Sequence, residues 1–182
     1  TSKPGFYVTN LNEASALPDD ENNAILSVVK DFLIGKLGYK IKHGGIHIIN
    51  DFNVPLNRGL NSLAVGVVGA LIASSVFAEV EISPEELLCA MKSYQSLPYN
   101  FASTVIGGFV ITSPVDESFV VHRIDFPDSV KLTLIIPEYE ISGSDSTRLM
   151  AHKITMKDAL FNLSRASLFV SALCQKNFRL LN

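Results

Sequence analysis

The chain has 182 residues, 47% of them hydrophobic and 18% charged, with a net charge of −3, enough apolar material for one ordinary domain or two small ones. A pI near 5.8 and the lack of any Lys/Arg cluster argue against a nucleic-acid-binding surface. Cys89 and Cys174 stand far apart and outside any CxxC spacing, so they offer neither a disulfide framework nor a zinc site, and buried reduced thiols in a cytoplasmic protein are the expectation.

In chain order, a polar, turn-rich opening holds a short strand around Phe6–Thr9. Ile25, Val28, Val29, Phe32, Leu33 and Leu37 recur at helical spacing, and Gly38 ends that amphipathic helix. Ile46 to Val54 reads as a strand closed by Pro55. Gly59 to Ala78 carries no charge and is just long enough to cross a bilayer. Small residues on several of its faces, polar residues at both ends and the lack of a flanking basic loop favour a buried helix instead. Ser83-Pro84-Glu85-Glu86 is a capping box opening a helix that runs to about Tyr94.

Three strands follow: VIGGFVIT from Val105, broken by a glycine pair, then FVVHRIDF from Phe119, then KLTLIIPE from Lys131. Thr155 opens a last helix with Leu160, Leu163, Phe169, Val170 and Leu173 among its apolar positions. The predicted order is β, α, β, α, α, β, β, β, α, an α+β chain. His43, His47, His122 and His152 are scattered rather than clustered, and His47 and His122 are expected to point outward.

Several short motifs line up in order. They are LPDDEN at Leu17–Asn22, PLNRGLNS at Pro55–Ser62, LPYN at Leu97–Asn100, VIGGF at Val105–Phe109, LIIPEYEIS at Leu134–Ser142 and DALFNLSR at Asp158–Arg165. Together they resemble the homoserine kinases of the GHMP kinase superfamily, whose phosphate loop has the form P-x-G-x-G-L-G-S-S-A and whose later motifs include H-P-D-N. The resemblance implies a two-lobe α+β fold, with an S5 domain 2-like first lobe over residues 1–113 and the start of a ferredoxin-like second lobe over 114–182. The family's N-terminal P-A-S-x-A-N-x-G-P-G element and its C-terminal glycine-rich stretch have no counterpart in this sequence.

That resemblance implies ATP-dependent phosphorylation of the homoserine hydroxyl in threonine biosynthesis, with ATP and Mg²⁺ as cofactors. Homoserine and ATP would be the small-molecule partners; neither nucleic acid nor membrane is implied, and a homodimer is left open. Pro55, Arg58, Gly59, Leu60, Asn61 and Ser62 align with the nucleotide-binding loop, where backbone N–H groups at a helix start receive phosphates. Ser62 and Gln95 align with the metal positions, and Asn100 and Arg148 with the groups that position the amino acid.

Other positions depart from the family pattern. Asn57 and Asn61 stand where glycines would, Leu63 where a second serine would, and Gln95 where an acidic metal ligand would. Leu97 and Tyr99 replace the His and Asp of H-P-D-N, while Gly143 and Thr147 fall on the Thr and Arg of the substrate loop. Asparagine tolerates left-handed backbone, so Asn57 and Asn61 can preserve the loop's shape. Loss of a carboxylate at Gln95 weakens a magnesium site. The sequence therefore carries an enzymatic reading and an alternative, a catalytically impaired pseudokinase or a small-molecule- or protein-binding module on the same fold.

Overall fold

The computed structural model describes residues 1–94, 101–116, 118–140, 148–149 and 153–181. Strand β1 (Gly5–Asn12) and strand β2 (Gly45–Phe52) form a parallel pair in register from Gly5↔Gly45 to Asn12↔Phe52. A parallel pair needs a crossover, and here helix α1 (Ala24–Lys30) makes it, continuing into a π-helical turn at Asp31–Lys36. The amphipathic helix expected up to Leu37 is thus α-helical only to Lys30. Beyond that the ladder widens, as the Leu37 N–H donating to the Phe32 carbonyl shows.

Alternation along β2 buries Ile46 and Asn50, half-buries Ile48 and Phe52, and turns His47, Ile49 and Asp51 to solvent. His47 and His122 are both exposed, as expected. Against the inner face pack α1 and helix α2 (Ser62–Phe77), followed by α3 (Pro84–Met91) and the short α4 (Ala102–Ile106). Ile25, Val29, Leu33, Val67, Leu71, Leu88, Met91 and Phe101 are the centre of this core. Among the described residues no helix is long and apolar enough to cross a membrane, and α2 is a core helix.

Both halves of the α3 capping box form. Glu86 N–H donates to Ser83 Oγ at 3.2 Å and Ser83 N–H to Glu86 Oε2 at 2.8 Å. Accepting from the Ser83 backbone and hydroxyl holds the Glu86 carboxyl below its usual range. A depressed carboxyl pKa gives a stabilisation present at neutral pH and lost as the pH falls through the folded value. Glu86→Gln should therefore flatten the acid limb of a stability–pH curve measured by urea unfolding.

Strands β3 (Phe109–Val115) and β4 (Ser118–Ile124) form an antiparallel hairpin, so the boundary expected at 113/114 falls inside β3. Phe119 on β4 packs edge-on against Phe101, with ring centroids 5.9 Å apart. Phe109 does the same at 5.6 Å with Phe169 of the last helix, α5 (Met156–Gln175). Thr155 caps α5 as expected, its side chain accepting the Asp158 N–H.

Three expectations give way. Val105 and Ile106 end a helix rather than open a strand, because Gly107 and Gly108 take φ of +74° and +76°, a backbone suited to terminating a helix, and the Gly107 N–H closes on the Ser103 carbonyl. Residues 131–137 form no strand: among the described residues no neighbouring strand lies beside them to complete a hydrogen-bond ladder, and Leu132, Leu134 and Ile135 are largely exposed. Cys89 and Cys174 are exposed thiols, not buried ones. Cys89 is on the solvent side of α3, and Cys174 follows the last buried pair of α5, Ala172 and Leu173.

Candidate functional site

The chain leaving β2 turns sharply before it enters α2, and the turn is built on left-handed backbone at alternate residues. Asn57, Gly59 and Asn61 have φ of 54°, 74° and 54°. The two asparagines thus occupy left-handed positions that most side chains avoid, as the sequence predicts. A β-carbon at Gly59 would meet nothing within 4 Å, so only backbone geometry demands glycine there, and the space beside it is open.

Asn61 is the N-cap of α2 but makes no side-chain capping bond. The first-turn N–H groups of α2 therefore have no side-chain acceptor from the cap, and the positive end of a sixteen-residue helix faces the turn. Ser62 begins the helix and is buried, Pro55 and Leu60 are half-buried, and Leu63 is 46% exposed.

Two side chains of the turn are already engaged. Arg58 donates through Nη2 to the Glu138 carbonyl at 2.7 Å and through Nη1 to the Leu56 carbonyl at 3.2 Å. Its Nη1 also forms an ion pair with Glu140 Oε1 at 3.2 Å. Asn57 Nδ2 donates to the other carboxylate oxygen of Glu140 at 3.1 Å. The Asn57 amide, then Arg58, hold the Glu140 carboxyl below its usual range.

Of the predicted catalytic and metal residues beyond the turn, only Arg148 lies within the described residues. Arg148 is exposed and makes no hydrogen bond or ion pair among the described residues. Gln95, Leu97, Tyr99, Asn100, Gly143, Thr147 and His152 lie outside the described residues. Among the described residues no group of three or more His, Cys, Asp and Glu could hold a metal ion.

Sequence reasoning misses two features. A cavity of about 660 Å³ runs between β2 and α2, bounded by Ile46, Ile48, Phe52 and the small residues Gly66, Gly69 and Ala73, and it reaches Val54 just before the turn. The signal is the set of small residues on several faces of α2, which by itself points only to close packing. The second feature is a buried asparagine network. Asn23, not Asn22, is the working residue of the LPDDENN stretch, capping α1 and bonding Asn10, which in turn accepts from Asn50.

Comparison with known proteins places this geometry. No protein-family model matches the chain. It is 32% identical over 170 residues to a homoserine kinase of Aquifex aeolicus, covering 92% of this chain and 56% of that protein. It is 31% identical over 179 residues to one of Caldicellulosiruptor saccharolyticus, covering 97% and 56%. The crystal structure of a homoserine kinase from Cytophaga hutchinsonii superposes with a TM-score of 0.77 at 20% identity, over 99% of this chain and 58% of that one. A putative homoserine kinase from Listeria monocytogenes superposes with a TM-score of 0.72 at 22% identity over the same shares. The chain spans a little over half the length of these relatives and shares their fold. It is a homologue of the homoserine kinases, matched along nearly all of its own length.

Proposed function

We propose that the turn from Pro55 to Ser62 binds the phosphates of ATP, and that the chain takes part in phosphorylating the side-chain hydroxyl of homoserine, a step of threonine biosynthesis in the cytoplasm. One observation carries this reading: left-handed backbone at Asn57, Gly59 and Asn61 opens α2 without a side-chain cap. Such a turn directs backbone N–H groups, backed by the helix dipole, toward an anion. When bound, Mg-ATP supplies the phosphoryl group and much of the charge neutralisation.

Backbone amides around Arg58–Ser62 would grip the phosphates, and the Ser62 hydroxyl would offer one oxygen to the cation. Gln95 offers a neutral oxygen where a carboxylate would bind magnesium more firmly, so most of the cation's ligands would come from the nucleotide and water. Asn100 and Arg148 would position the amino acid. A division into lobes at 113/114 belongs to the same reading.

Isothermal titration of the purified chain with ATP, with and without Mg²⁺, tests it. The expected result is magnesium-dependent binding in the micromolar to millimolar range. Gly59→Val should weaken ATP at least tenfold, because a β-branched residue at positive φ costs about 1–3 kcal/mol and fills the open space beside the turn. Absence of heat from a folded sample would make the turn architecture only and leave a binding module without kinase chemistry.

A further inference from the structure

Asn57 and Arg58 converge on a single carboxylate that lies 83 residues further along the chain from Asn57. An amide N–H on one carboxylate oxygen and a guanidinium N–H on the other is the arrangement by which proteins hold any small oxyanion. The second arm of the Arg58 fork is fixed on the Glu138 carbonyl, so residues 138 and 140 together strap across the turn. Asn57 and Arg58, two of the three side chains of this turn that have N–H groups to offer an external anion (Asn61 is the third), are therefore committed to the chain itself.

We propose that Glu140 is an autoinhibitory latch, a built-in anion that an incoming polyphosphate must displace before Asn57 and Arg58 can reach it. This rests on the reading of Pro55–Ser62 as a phosphate loop and adds to it the competitor. Glu140 is 54% exposed, against 17% for Arg58. Exposed ion pairs are weak and are screened by salt, so the carboxylate can swing into water while Arg58 stays in place. The latch sets a threshold of anion concentration below which Asn57 and Arg58 stay engaged with Glu140. It also couples the turn to the segment before Glu140, since release of the carboxylate removes two of the bonds anchoring that segment.

The test is titration of inorganic tripolyphosphate, and separately of Mg-ATP, into the wild-type chain, Glu140→Gln and Glu140→Ala, with far-UV circular dichroism to confirm folding. Removing an exposed charged competitor should tighten tripolyphosphate about three- to fivefold in both variants at low salt, and the gain should shrink toward 0.5 M salt. Adding Arg58→Gln to Glu140→Gln should abolish the gain. Equal affinity in wild type and variants would overturn the latch and leave the phosphate loop standing. Weaker binding in the variants would also overturn it, by making Glu140 a support for the loop. No binding by any folded form would overturn both the latch and the phosphate-loop reading.

Discussion

Asn23→Ala is expected to cost the fold about 2–3 kcal/mol, the sum of a lost helix cap and two lost part-buried hydrogen bonds, to the Pro18 carbonyl and to Asn10 Oδ1. The side chain is fully buried and satisfied at both ends. Its Oδ1 accepts the N–H groups of Ile25 and Leu26 at 2.9 and 3.1 Å, which caps α1. Its Nδ2 donates to the Pro18 carbonyl at 2.7 Å and to Asn10 Oδ1 at 3.2 Å. Asn10 faces Asn50 across the parallel ladder and takes its amide N–H at 2.8 Å. The network thus ties the start of the crossover helix to both strands. The chain has no tryptophan, so the measurement is urea unfolding followed by far-UV circular dichroism. The midpoint should fall with the slope unchanged. Asn23→Asp keeps the cap but replaces a donor with a second acceptor facing two oxygens, and it should be destabilised as well. A stable Asn23→Asp variant would show that the cap, not the network, carries the effect.

The second large effect separates two glycines three residues apart in α2. A β-carbon on Gly66 would lie 2.5 Å from Phe52 Cζ and 2.6 Å from Ile25 Cδ1, wedged between β2 and α1. Gly66→Val forces strand and helix apart, and overpacking of this kind costs about 1–3 kcal/mol. Gly69 is exposed, and a β-carbon there meets nothing within 4 Å. Gly69→Ala should therefore stabilise α2 by about 0.5–1 kcal/mol through helix propensity alone. Thermal melts of the two variants should move in opposite directions. A common direction would mean that α2 does not sit against β2 as described.

What could be read from the sequence was what local chemistry decides. The Ser83–Glu86 box, the Thr155 cap and the left-handed Asn57 and Asn61 follow from side chains acting within a few residues of themselves, and each forms as expected. The small-residue pattern of α2 likewise foretold close packing, which Gly66 shows most directly. The ordered string of weak motifs pointed to the fold that the structural neighbours share.

The misreadings have a different cause. Residues 131–138 have the composition of a strand, but strand formation depends on a partner that composition does not name. Cys89 follows the buried pair Leu87 and Leu88, and only the orientation of α3 turns it outward. Glu140 was one acidic residue among several in a motif. Its meeting with Asn57 and Arg58 across 83 and 82 residues is a product of folding alone.

The unsheltered leucines and isoleucines of 131–136, with Met156, Leu160, Phe161 and Leu163 along the first turns of α5, bear on how the protein behaves in a test tube. Apolar surface of this extent recruits other apolar surface, and near room temperature that attraction is entropic and strengthens on warming. The isolated chain should light up an environment-sensitive dye such as ANS while folded. It should also salt out at low sulfate concentrations and stay dispersed better in the cold. Purification and titration are therefore best done chilled, dilute and free of sulfate, conditions that also leave the anion-binding turn without a competing oxyanion.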